Sequence, residues 1–320
     1  MKARSVMRVV LLFVGLFSYV WAGVSSASIS PTLPNHTYMG IKILDQKKLS
    51  FTKINAVKFT ELSDVTYDSK THILYFVGDK GALFSFRAKF SQKIDELVPL
   101  TAVKLKNKKG KRLRKWKRDS EGVTLDGKSR LLISFEGKAK IAWFHKNSNK
   151  MGNLIKKYKI PKVLRSPKNY RSRNKSLESV AWHKRYGVLT ATEWPLAKDY
   201  KKYQTIYALS GKTWHFKAEP EARSAIVAME VMDDGNLLVM ERSYTGILAP
   251  LVITLKKVQI QNCKQKMCPT KVIAKLNSHK GWDIDNFEGL ARVGKNRYVM
   301  VSDDNENFFQ KTLLLYFEVL

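Results

Sequence analysis

The chain is short of several things that usually announce a function. It has only two cysteines, Cys263 and Cys268, too few for a four-ligand zinc site. Its six histidines (His36, His72, His145, His183, His215 and His279) show no close metal-ligand spacing. No glycine-rich phosphate loop of the P-loop type appears, and no Gly-x-Ser-x-Gly elbow, which argues against a nucleotide-binding P-loop and a serine-hydrolase triad. Few long segments show helical periodicity. After the first residues no apolar stretch is long enough to cross a membrane. Acid is scarce relative to base: 27 Asp and Glu stand against 58 Lys and Arg.

What is present begins with an export-like start. Lys2, Arg4 and Arg8 precede an apolar run from Val9 to Trp21, and small residues then suit cleavage after Ala22 or after Ala27. Residues 1–27 therefore read as a signal peptide and 28–320 as a single domain, exported to a periplasm or secreted. An uncleaved anchor is the alternative. In an oxidising compartment the close pair Cys263 and Cys268 can form a disulfide clipping a small hairpin, or remain two free thiols.

The net charge is +31, or +28 without the three basic residues of the leader (31 − 3). Ten of the residues 104–118 are Lys or Arg, and a second basic zone runs from Lys156 to Lys175. Such a field attracts polyanions, whether phosphorylated small molecules, polyphosphate or lipid surfaces, and nucleic acid is not required. The run 104–118 reads either as a disordered or looped anion-binding segment or as solvated surface.

The strongest pattern is a repeat. Five triplets recur: Ser63-Asp64-Val65, Glu121-Gly122-Val123, Glu178-Ser179-Val180, Ile226-Val227-Ala228 and Glu288-Gly289-Leu290. Each precedes turn residues and an apolar β-forming run closed by Asp79, Glu136, Glu193, Glu241 or Asp303. The last residue of each triplet lies 14, 13, 13, 13 and 13 residues before its closing acid. Units of this length with about four strands predict an all-β fold, a β-propeller of four-stranded blades. Five blades are countable and a sixth is possible, the ring being closed by N- and C-terminal strands.

Hairpin arithmetic pairs Glu121 with Glu136, Glu178 with Glu193, Glu288 with Asp303, Ser63 with Asp79 and Ile226 with Glu241. All then fall at one end of their blades, so eight carboxylates gather at one mouth of the channel. Crowded carboxylates raise one another's pKa, and either protonation or a hard cation such as Ca²⁺ relieves them. Individual acids could instead accept hydrogen bonds between blades. Lys80, Lys138 and Arg242 follow strand-end acids and could steady a phosphate or neutralise the ring.

Asp119-Ser120-Glu121-Gly122-Val123, Leu177-Glu178-Ser179-Val180-Ala181, Leu238-Val239-Met240-Glu241-Arg242, Asp285-Asn286-Phe287-Glu288-Gly289-Leu290 and Val301-Ser302-Asp303-Asp304-Asn305, with Gln310-Lys311-Thr312 after it, resemble the phytase-like family described as having esterase-like activity of phytase. The resemblance spans about residues 60–320 and implies an exported β-propeller acting as a phosphoric ester hydrolase. Ser63, Ile226 and Ser179 depart from its pattern. On this reading Asp79, Glu121, Glu136, Glu193, Glu241 and Asp303 are metal ligands. Lys80, Lys138 and Arg242 bind a phosphorylated small molecule, and Glu178 or Glu288 acts as general base. A monomer is expected. The alternative is a non-catalytic propeller gripping an envelope or extracellular polyanion.

Overall fold

The computed structural model describes residues 23–246 and 248–320. The expected leader up to Ala22 lies outside them. Four of the repeats fold into antiparallel four-stranded sheets whose strands follow chain order, and the fifth sheet combines strands from both ends of the chain. Blade 1 is Leu62–Asp68, Ile73–Gly78, Ala82–Phe90 and Ile94–Lys104, and blade 2 is Ser120–Leu125, Leu131–Phe135, Lys140–Phe144 and Leu154–Lys157. Blade 3 is Leu177–His183, Gly187–Thr192, Tyr203–Ala208 and Thr213–Lys217, and blade 4 is Ala225–Val231, Leu237–Ser243, Val252–Val258 and Thr270–Asn277. Blade 5 takes Asn286–Gly294, Arg297–Asp303 and Leu313–Val319 from the C-terminus and its outer strand, Ile41–Leu49, from the N-terminal region. The ring therefore closes with strands from both ends of the chain, and the count is five. The long intervals that could have hidden a sixth blade are connectors with short 3₁₀ turns at Lys115–Lys117, Lys162–Leu164 and Pro167–Asn169.

Strand alternation explains why the sheets stack. In Leu313–Val319, Leu313, Leu315 and Phe317 pack toward blade 4, whereas Leu314 and Tyr316 pack toward blade 1. The buried apolar residues accordingly form five clusters, one between each pair of neighbouring blades. Each buried large side chain contributes roughly 1.5–3 kcal/mol, so ring closure is itself a large part of the stability.

Five blades leave little room at the axis. A Cβ on Gly122 would sit 2.7 Å from the backbone nitrogen of Val180, and one on Gly289 would sit 2.8 Å from the Cα of Asp64. Glycine is required there by the approach of neighbouring inner strands. Asp64, buried among them, accepts from the Val123 and Leu290 N–H groups at 2.7 and 3.0 Å and so ties blade 1 to blades 2 and 5.

The register corrects the simple hairpin arithmetic. Every innermost strand carries a β-bulge close to its start, between Leu62 and Asp64, Ser120 and Val123, Leu177 and Ser179, Ile226 and Ala228, and Phe287 and Gly289. Ser63, Glu121, Glu178 and Glu288 are the bulged residues, which a bulge re-aims out of the regular ladder. Glu121 thus does not face Glu136, because Ser120 pairs with Phe135. Leu177 pairs with Thr192, Asn286 with Asp303 and Leu62 with Gly78. In blade 4 Ile226 does pair with Glu241, and that shifts the equivalence by one. Val227, not Ile226, occupies the bulge, and Arg242, not Glu241, stands where Asp79, Glu136, Glu193 and Asp303 stand in the other blades.

Candidate active site

The mouth at the start of the inner strands collects the acids in the order the chain supplies them. Blade 1 brings Ser63 and Asp79, blade 2 Glu121 and Glu136, blade 3 Glu178 and Glu193, and blade 5 Glu288 and Asp303. Blade 4 contributes Val227 and Arg242. A repeated backbone link fixes the closing acids: the N–H groups of Asp79, Glu136 and Glu193 donate to the carbonyls of Glu61, Asp119 and Ser176 at 3.1, 3.0 and 3.1 Å.

The density is greatest between blades 2 and 3. Oxygens of Asp119, Glu121 and Glu136 lie within 4.8 Å of one another, and so do those of Glu136, Glu178 and Glu193. Glu136 belongs to both groups. Among the described residues its carboxylate accepts only the Ser176 N–H, at 3.0 Å. Among the described residues no donor reaches the carboxylates of Glu121 or Glu178, which are buried. Burial, then the charges of Asp79, Glu178 and Glu136, holds Glu121 far above the usual carboxylate range. Burial, then Glu193 and Glu136, does the same to Glu178. Burial also pushes Glu136 up to about 8, against the Ser176 bond. These groups have oxygen ligands and too few donors, which fits a hard divalent cation.

The other side is quieter. Arg242 donates to Glu288 and to the Asn286 side-chain oxygen, and approaches Glu193 at 3.7 Å. Asn286 Nδ2 donates to Glu288 at 2.9 Å. Asp79 accepts from the Ser63 hydroxyl at 2.5 Å, yet burial and the nearby Glu288 push it up to about 7. Asp303 accepts the Asn305 N–H at 2.8 Å, and burial with Glu288 nearby pushes it up to about 9. Lys175 binds Glu193 at 2.6 Å.

The structure does not bring all the sequence-derived residues together. Glu241 turns away between blades 3 and 4, where it binds the buried Lys256 at 2.7 Å and accepts from the Glu219 N–H and Ser224 hydroxyl at 2.8 and 2.9 Å. Lys80 is spent on Glu61, at 2.9 Å, and on Glu306. Lys138 lies 5.6 Å above the Trp116 ring. Arg242 sits in the ring itself, neutralising Glu288. Asp119 and Glu61 were not singled out from the sequence. Both precede the bulged residue by two, but only blades 1 and 2 carry an acid there, so the repeat did not flag them.

Beside the dense side lies a cavity of about 690 Å³ lined by Asp119, Glu136, Trp116, Lys138, Arg165 and Arg173, among others. Its lining thus combines carboxylates with cations. The disulfide between Cys263 and Cys268 closes a hairpin in blade 4, and that hairpin bonds to blade 3 through Cys268 N–H to the His215 carbonyl, 2.8 Å. Among the described residues no helix is long and apolar enough to cross a membrane.

The family model described as "Phytase-like: Esterase-like activity of phytase" matches residues 57–306. No curated protein matches. Among solved structures the chain is similar to a luciferin-regenerating enzyme at 13% identity and a TM-score of 0.43, covering 82% of this chain and 92% of that one. The matched span takes in all five innermost strands and the acids at their mouth, and the chain belongs to the phytase-like family.

Proposed function

We propose that this protein is an exported, metal-dependent phosphoric ester hydrolase whose working end is the dense side of the acidic ring. The observation that carries this reading is the double carboxylate group sharing Glu136, beside a cavity lined by Asp119 and Glu136 together with Lys138, Arg165 and Arg173. Asp119, Glu121, Glu136, Glu178 and Glu193 would hold the cation, with Ca²⁺ favoured by the all-oxygen donor set. Bound there, a cation polarises a phosphoryl oxygen and acidifies a water. Lys138, Arg165 and Arg173 would draw the phosphorylated substrate into the cavity and orient it, the arginines by paired N–H donors. Glu288, held by Arg242 and Asn286 across the ring, is oriented to accept a proton from water.

Export is supported by the leader-like start and the disulfide. Cleavage after Ala22 is favoured over Ala27, because Val24–Ser26 pairs with Lys47–Leu49 on the edge of blade 5 and the Ser50 N–H donates to the Gly23 carbonyl at 2.7 Å.

The test is hydrolysis of p-nitrophenyl phosphate and of phytate by purified protein with Ca²⁺, with EDTA, and as Glu136→Gln. The reading expects phosphate release with Ca²⁺ that EDTA and Glu136→Gln both abolish. Absence of release from either ester with any divalent cation would sink it.

A further inference from the structure

The basic run 104–118 is an ordered connector from the outer strand of blade 1 to the inner strand of blade 2. Its turn is pinned by Asn107, whose side chain accepts from the Lys109 and Lys111 N–H groups at 2.9 and 3.1 Å. Leu113 N–H then donates to the Leu105 carbonyl at 2.8 Å, folding the connector back on itself. A cavity of about 790 Å³ lies between this connector and the outer part of blade 2. Arg112, Arg114, Lys117, Lys138, Lys140 and Lys157 line it together with the apolar Phe144 and Leu154, and no carboxylate does.

These cations are left over in a telling way. Elsewhere on the same blade bases find acids: Arg130 binds Asp126 and Lys146 binds Asp68, each at 2.5 Å. The cavity cations form no salt bridge among the described residues. Lys140 is the most enclosed, donating to the Lys117 carbonyl at 2.7 Å and lying 3.4 Å from the Phe135 ring centre. Burial, then the charges of Lys157, Lys138 and Lys117, pulls it down to about 7, with Asp119 the acid that partly offsets them. Like charges brought together around a concavity are relieved by a counter-anion.

We propose that this cavity is a second anion site, sharing Lys138 with the cavity beside the acidic mouth but otherwise built on different cations, that takes a compact soluble anion carrying two or more phosphate groups. Size favours a small molecule, since about 790 Å³ falls in the range of roughly 300–1,000 Å³ typical of small-ligand pockets. A nucleic-acid strand would need an open track with stacking aromatics, and the only aromatic lining this cavity, Phe144, is buried. Mixed Arg and Lys suit several phosphates at once, the guanidinium forks gripping oxygens in pairs and the ammonium groups supplying point charge. The site does not depend on the mouth being catalytic.

The test is calorimetric titration of the full mature protein with inorganic triphosphate at pH 7, about 0.15 M salt and excess EDTA, so that no metal-bridged binding contributes. Triphosphate is expected to bind at one site and inorganic monophosphate at least about tenfold more weakly. The triple variant Arg112→Ala/Arg114→Ala/Lys157→Ala, all exposed positions, should weaken triphosphate at least about tenfold. The charge-matched variant Lys53→Ala/Lys271→Ala/Lys295→Ala and the mouth variant Arg173→Ala should leave it unchanged. Equal weakening by either control, no one-site binding, or displacement of triphosphate by a charge-matched single-stranded oligonucleotide would overturn the proposal. Loss of hydrolysis at the mouth with triphosphate binding intact would count against the catalytic reading alone.

Discussion

Glu136 and Glu241 close equivalent strands, yet they sit in opposite electrostatic worlds. Glu136 lies in the ring among four other acids, with one backbone donor. Glu241 lies one register step short of the ring, fully enclosed, with Lys256 and two further donors. The two side chains are identical, so the difference comes from the ladder. Blade 4 sets its closing glutamate opposite Ile226, inside the paired strand, and hands the ring position to Arg242. One register step separates a carboxylate that calls for a cation from one that already has it.

This contrast can be broken from both ends. The largest effect is expected on the Glu241 side. Lys256→Met leaves the buried Glu241 without its cation, while Glu219 keeps Lys275, and removing one partner of a buried pair is worth roughly 3–5 kcal/mol. Chemical denaturation should show a loss of that order with calcium affinity unchanged in whatever protein remains folded. Arg242→Ala should cost about as much at pH 8, since Glu288 loses its partner, and under the proposed function it should also lower phosphate-ester turnover, measurable by steady-state kinetics beside the melting curve.

Glu136→Gln is expected to act in the opposite sense. Asp79, Glu136 and Asp303 are raised to about 7, 8 and 9, so between about pH 4 and those values the folded state binds more protons than the unfolded chain. Stability of the metal-free protein is then greatest in acid and falls as pH rises through that window, by at most about 1.4 kcal/mol per pH unit for each group. Melting temperatures with EDTA should decline from pH 5 to pH 9, Ca²⁺ should flatten the decline, and Glu136→Gln should raise metal-free stability at pH 9 while removing the calcium effect. A flat metal-free profile would break the comparison.

The smallest effect is expected at Lys80. It is part-exposed and held by Glu61 and Glu306, so Lys80→Ala should change stability by less than about 1 kcal/mol and leave KM unmoved. Sequencing of the mature N-terminus is expected to give Gly23, which leaves Val24–Ser26 on the sheet edge; a start at Ser28 would contradict that placement.

Much of the architecture was legible because a propeller repeats. The spacing from triplet to closing acid located every inner hairpin, and the apolar runs gave the strands at nearly their observed bounds. Three things were hidden. A bulge adds one residue to one strand without leaving a sequence mark, so counting could not distinguish Ile226 from Val227 or Glu241 from Arg242. Asp119 and Glu61 were missed because their position carries acid in two blades only. The connector 104–118 showed its charge but not its turn: the Asn107 side-chain bonds and the fold-back onto Leu105 depend on tertiary neighbours such as Asn153, whose Asn153–Lys106 pairing crosses to blade 2.

A crystal structure at pH 8 grown with Ca²⁺, and repeated with Mn²⁺ for its anomalous signal, shows whether the acidic ring holds a cation. The expected result is a cation coordinated by Glu136 together with Glu121, Glu178, Glu193 or Asp119, with Glu241 still bound to Lys256. A ring without a cation at saturating metal, or a cation bound at Glu241 instead, would contradict it.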